Sequence, residues 1–194
     1  MSTMTPADSG RHPELEAPGT GDDRTFDDQQ APGCHLLSRV RPGDVVVMIG
    51  ASGSGKSALL TDVRHQAIGL DLLRSLISEP GDQTASADAV LLQHQLLTMR
   101  LSRGRTTYID NVSSASHHRR HLVDLARAHG RRAVALWADT PVETCLRRNA
   151  LRPDHLRVPE DILREQHQAI GAGAELLELL RAEGFDEILH HHGT

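Results

Sequence analysis

The stretch that most constrains this chain is Gly50-Ala51-Ser52-Gly53-Ser54-Gly55-Lys56-Ser57. Before it runs Asp44-Val45-Val46-Val47-Met48-Ile49, short, apolar and β-branched, bounded by Pro42-Gly43. Such a run reads as a strand buried on both faces. After it, Ser57-Ala58-Leu59-Leu60 opens a helical pattern. Strand, G-x-x-x-x-G-K-S and helix, in that order, is the context that defines a phosphate-binding loop. Glycines without a Cβ let the backbone wrap an anion with its N–H groups pointing inward. The helix start adds unpaired N–H groups and the positive end of a dipole. The candidate cradle is therefore Gly50, Ala51, Ser52, Gly53, Ser54, Gly55, Lys56, Ser57 and Ala58. Lys56 should reach the β- and γ-phosphates of ATP or GTP, and the Ser57 hydroxyl should sit on Mg²⁺. Lys56 is the only lysine in the chain. The alternative is a glycine-rich turn that merely joins strand to helix, which would leave a buried lysine without an anion, at a cost.

Strand and helix signals alternate downstream. Residues 67–70 read as a short strand, 71–78 as a brief helix and 79–82 as a turn. A long helix spans 85–103, with Val90, Leu91, His94, Leu97 and Leu101 on one face and Gly104 as its stop. Residues 106–110 read as a strand ending in Asp110. Residues 116–129 read as a helix with Leu122, Leu125 and Ala126 inward, and 133–137 as a strand. Thr140 as cap and Pro141 as first residue open the next helix. An irregular basic segment (151–158) follows, then helices at 159–170 and 174–183, and Ile188-Leu189 closes the sheet. This alternation predicts an α/β fold with a parallel, doubly wound sheet. Ligands then bind at the carboxyl ends of the strands, where both the loop and Asp110 fall.

Composition limits the partners. Residues 1–33 hold seven acids against Arg11 and Arg24, a net charge of −5 that equals the whole-chain figure. They carry almost no large apolar side chains and read as a disordered acidic tail, solvating or partner-binding. Residues 34–194 form the expected single domain and are charge-balanced, 19 acids against 19 bases. Aromatic residues number four in all: Phe26, Tyr108, Trp137 and Phe185. Neither fact favours a broad nucleic-acid surface. No run of eighteen apolar residues exists, so no transmembrane helix is expected. The start lacks a signal-peptide pattern, and Cys34 and Cys145 match no metal spacing; a cytoplasmic setting is expected.

Phosphoryl transfer needs a phosphate cradle, a metal, cations and a group that orients the acceptor hydroxyl. Asp71 follows the second strand, and Arg74 stands one helical turn on. Together they suit an acceptor site as base and anion holder; an ordinary surface i,i+3 pair is the other reading. Four arginines lie within 147–157, as in a mobile lid over a triphosphate or a solvated basic helix end. Asp110 is a candidate Mg²⁺ ligand or a cap. His190-His191-His192 read as an exposed terminus, because three adjacent strand residues cannot all face one ion.

Six stretches together resemble the kinase domain of polynucleotide 5′-hydroxyl kinases of the bacterial RNA-repair type, within the P-loop kinases. They are GASGSGKS (50–57), Asp71 with Arg74, EPGDQTASADAV (79–90), RGRTTYID (103–110), CLRRNALRP (145–153) and VPEDILREQH (158–167). The resemblance implies a P-loop kinase fold with an arginine-bearing lid. Asp71 would be the general base, Arg74 would contact the phosphate next to the acceptor nucleoside, and Arg148 and Arg152 would be lid arginines on the donor phosphates. The sequence departs from that family at Leu70, where Ser or Thr is usual, and at Asn111-Val112-Ser113, where a Thr-Asn pair is usual. Three functions follow: a kinase for 5′-hydroxyl oligonucleotides, a kinase for a nucleoside or other small hydroxyl-bearing acceptor, or a nucleotide-binding module without transfer.

Overall fold

A computed structural model describes residues 32–193. The acidic segment expected at 1–33 lies outside them, apart from Pro32 and Gly33. Helix α1 (Pro32–Leu37) leads to strand β1 (Val45–Ile49), the phosphate-binding loop and a short α2 (Lys56–Leu59). A 3₁₀ turn (Thr61–Gln66) replaces the rest of the helix expected after the loop. Next come β2 (Ala67–Ile68), α3 (Leu70–Ile77), α4 (Ser86–Leu101), β3 (Thr107–Ile109), α5 (Ser116–Ala128) and β4 (Ala133–Asp139). The chain ends with α6 (Val142–Ala150), α7 (Glu160–Ile170), α8 (Gly173–Glu183) and β5 (Glu187–His192).

All strand pairs are parallel, in the order β2-β3-β1-β4-β5. The expected α/β sheet is present, and β3, which Asp110 directly follows, neighbours β1. Every residue of β1 is fully buried because the strand feeds two cores. Val45, Val47 and Ile49 pack with α4, α5 and α8, while Val46 and Met48 pack with Leu59, Leu60 and Tyr108. Each such side chain contributes on the order of 1.5–3 kcal/mol. Helices α4, α5 and α8 end in the same way. At Gly104, Gly130 and Gly184, left-handed glycines satisfy the last carbonyls two residues short of the next strand's approach.

Two expectations change. The second strand is two residues long, because Leu70 already begins α3. The inward face of α4 is Ala89, Gln93, Leu97 and Leu101, whereas Leu91 is exposed. Gln93 was invisible to an apolar pattern because its burial serves hydrogen bonds. Among the described residues no helix is long and apolar enough to cross a membrane.

Candidate nucleotide and acceptor site

The phosphate-binding loop is clamped from outside its own sequence. A Cβ on Gly53 (φ +83°) would lie 2.5 Å from the Cys145 carbonyl oxygen, so loop and α6 touch through their backbones. The Thr140 hydroxyl donates to the Ser54 carbonyl at 2.9 Å, and the Ser52 N–H donates to Gln166 Oε1 at 3.1 Å. Gly50 N–H donates to the Val112 carbonyl at 3.2 Å. Thr140 was expected to cap α6. Instead the helix starts at Val142 with Pro141 in the cap position, and the threonine hydroxyl serves the loop. Gln166 and Thr140 lie about 110 and 85 residues beyond the loop in sequence, and no local pattern announces them.

Lys56 is buried. Its ammonium donates to the Gly50 and Ala51 carbonyls at 2.7 and 2.9 Å. Burial pushes its pKa down from 10.5 to about 8. Asp110 opposes that shift, Arg152 adds to it, and Cys145 and Asp71 oppose it. Asp110, Arg152 and Asp71 therefore all lie within electrostatic reach of this one amine. Ser57 Oγ donates to Asp110 Oδ2 at 3.3 Å. A hydroxyl beside a carboxylate is a hard oxygen pair, which fits Mg²⁺.

The four arginines of 147–157 divide into two pairs. Arg147 donates to Thr144 on its own helix, at 2.9 Å. Arg157 ties down the Ala150 and Arg152 carbonyls. Arg148 reaches the loop, with Nη1 3.4 Å from the Gly53 carbonyl, and Arg152 acts on Lys56. The buried Asn149 spans the base of this segment, donating to the Val158 carbonyl at 2.7 Å and accepting from its N–H at 3.1 Å.

Asp71 and Arg74 form an ion pair at the start of α3. The Asp71 side chain is 95% exposed and that of Arg74 only 11%. The start of α3 is held by Asn111, whose Oδ1 accepts the Leu70 N–H at 3.0 Å. Gln93 pairs with the Asn111 amide and donates to the Ile68 carbonyl. Arg119, in a buried bidentate pair with Glu183, holds the Ser113 and Ser114 carbonyls. The loop that departs from the resembled family is thus internally braced. Neither Asn111 nor Arg119 was singled out from sequence for this bracing.

The three histidines near the end are not an exposed tail. They belong to β5, where His190 and His192 share one face and His191 takes the other. The His190 ring stacks on Trp137 at 4.0 Å.

A parallel sheet of this order, with the glycine loop after β1, an acid after β3 and arginines over the loop, defines a P-loop kinase-type nucleotide-binding fold. The chain belongs to the AAA domain family, whose profile matches residues 45–177. Similar solved structures include a candidate kinase from Chloroflexus aurantiacus j-10-fl: TM-score 0.52, 14% identity, 78% of this chain and 89% of that one. The AvrRxo1-ORF1:-ORF2 complex aligns with TM-score 0.57 and 14% identity over 82% of this chain and 58% of that one. The same complex with ATP gives 0.50 and 16%, over 76% and 52%. The chain thus spans just over half the length of the AvrRxo1 chains it matches. At these identities the likeness concerns the fold. No curated protein matches the chain in sequence.

Proposed function

We propose that this protein is an ATP-dependent phosphotransferase that moves the γ-phosphoryl group to a hydroxyl, with the 5′-hydroxyl of a polynucleotide as acceptor. The observation that carries the reading is the bond of Ser57 to Asp110 beside a buried Lys56 folded over the glycine loop, with Asp110, Arg152 and Asp71 within electrostatic reach of that amine. Donor, metal and acceptor groups then share one cleft. The triphosphate lies in the loop of 50–58, and Lys56 exchanges its carbonyl partners for phosphate oxygens. Arg148 and Arg152 stabilise charge on the transferring group. Ser57 and Asp110 would hold Mg²⁺, which would supply positive charge against the phosphate oxygens. The Asp71 carboxylate takes the proton of the acceptor hydroxyl, and Arg74 holds the phosphate next to it. The 95% exposure of the Asp71 side chain supports an acceptor presented as the end of a larger chain.

A small hydroxyl-bearing acceptor is the second reading, favoured by the charge balance of 34–194. The deciding experiment offers γ-labelled ATP and Mg²⁺ with a 5′-hydroxyl RNA, a 5′-hydroxyl DNA and a nucleoside mixture, to wild type and Asp71→Asn. Label on an oligonucleotide, lost in the variant with ATP still bound, supports the first reading. Label on a nucleoside alone moves the assignment to the second. ATP binding without any transfer would remove the phosphotransferase reading for these acceptors.

A further inference from the structure

We infer that Asp139, His190 and His192 form a binding site for a divalent transition metal of the zinc class, separate from the Mg²⁺ position at Ser57 and Asp110. The strand register builds it. β4 and β5 run parallel, with Trp137 opposite His190 and Asp139 opposite His192. Alternate residues share a face, so the carboxylate that ends β4 meets both imidazoles of β5. His190 Nε2 lies 3.0 Å from Asp139 Oδ2, and His192 Nδ1 lies 3.7 Å from the same oxygen. The three donor atoms lie within 4.8 Å of one another. A zinc ion about 2.0–2.2 Å from each of three ligands sets them roughly 3.3 Å apart, so a small inward rotation of His192 completes the set.

The donors match that metal. Two imidazoles and a carboxylate are borderline ligands that suit zinc over magnesium or calcium. Three protein ligands leave a fourth position open to water. His190 is set in place by stacking on Trp137 and meets the Asp139 carboxylate at 3.0 Å, while the Gly193 N–H bond to the Asp139 carbonyl at 2.8 Å keeps the ends of the two strands together. The third, His192, is 76% exposed and gives the ion a way in. The site is one residue from Thr140, which clamps the phosphate-binding loop. A bound ion therefore ties the end of β5 to the edge of that loop.

The test is a zinc titration of the full chain without nucleotide, in excess Mg²⁺, against a chromophoric chelator. Thermal unfolding is followed in parallel. Wild type should bind one zinc per chain and unfold at a higher temperature with it. His192→Ala and Asp139→Asn should each weaken binding by about tenfold or more and lose the thermal shift. His192 is exposed, so its variant keeps the fold. His121→Ala removes half of the His94–His121 ring pair on α4 and α5 and should bind zinc like wild type. No stoichiometric zinc in wild type, equal affinity in His192→Ala, or an equal loss in His121→Ala would each overturn the assignment. The readout is independent of phosphoryl transfer, so failure of the kinase reading leaves it standing.

Discussion

The phosphate-binding loop and the start of α3 both lie at the carboxyl edge of the sheet, yet they are held in different ways. The loop follows a strand with no exposed residue and is fastened by Thr140, Gln166 and the backbone of Cys145. Helix α3 follows a strand of two residues, hangs on the Asn111–Gln93 pair and leaves Asp71, Leu72 and Leu76 to solvent. A triphosphate presents one shape, so a preorganised cradle suits it. The edge around α3 rests instead on side-chain bonds from Asn111, Gln93 and Arg119, and the departures from the resembled kinases, at Leu70 and 111–113, fall on that edge.

The sharpest way to break the donor side is Lys56→Ala. Transfer should fall on the order of 10²–10³-fold, with the fold kept, since the lysine is desolvated rather than stabilising. Single-turnover transfer and circular dichroism would check it; a rate within tenfold of wild type would remove Lys56 from the site. On the acceptor side, Asn111→Ala frees the Leu70 N–H and strands Gln93. We expect about 1–3 kcal/mol of lost stability and a several-fold rise in acceptor KM at unchanged ATP affinity. Parallel loss of ATP affinity would show that the two sides are one unit.

The acidity of Lys56 sharpens the comparison further. With its folded pKa at about 8, the amine is charged below that pH and neutral above it. A bound polyanion favours the charged form, so ATP binding takes up a proton near pH 8–9 and affinity falls as the pH rises through that range. Calorimetry in buffers of different ionisation enthalpy reads the uptake directly. For stability the sign is opposite. Between pH 8 and 10.5 the unfolded chain binds the extra proton, so this group's contribution to folding grows as the pH rises. The smallest expected effect is Arg74→Ala. The pair with exposed Asp71 is a surface one, worth about 0–1 kcal/mol, so Tm should barely move while acceptor KM rises. An unchanged KM would take Arg74 out of the acceptor site.

Features that local chemistry dictates were legible in the sequence. The strand–loop–helix run, the glycine stop of α4 and the acid that follows β3 each rest on neighbours in the chain. So does the division of fold into alternating strands and helices. What was not legible depends on polar side chains used over long separations. Gln93 and Arg119 are buried and polar, so an apolar period skips them. Thr140 looked like a helix cap because Pro141 follows it, and only the folded loop reveals that its hydroxyl serves Ser54 instead. His190 and His192 needed the register of β5 against β4 before their spacing meant anything.

A solitary amine, largely hidden and titrating at about 8, also makes the protein its own reporter. With every other basic side chain an arginine or a histidine, a reductive-alkylating reagent has one side-chain target, at the floor of the phosphate-binding loop, besides the terminal amine. Mass spectrometry after such a pulse would then read out how often that floor is covered, with no need to know the acceptor.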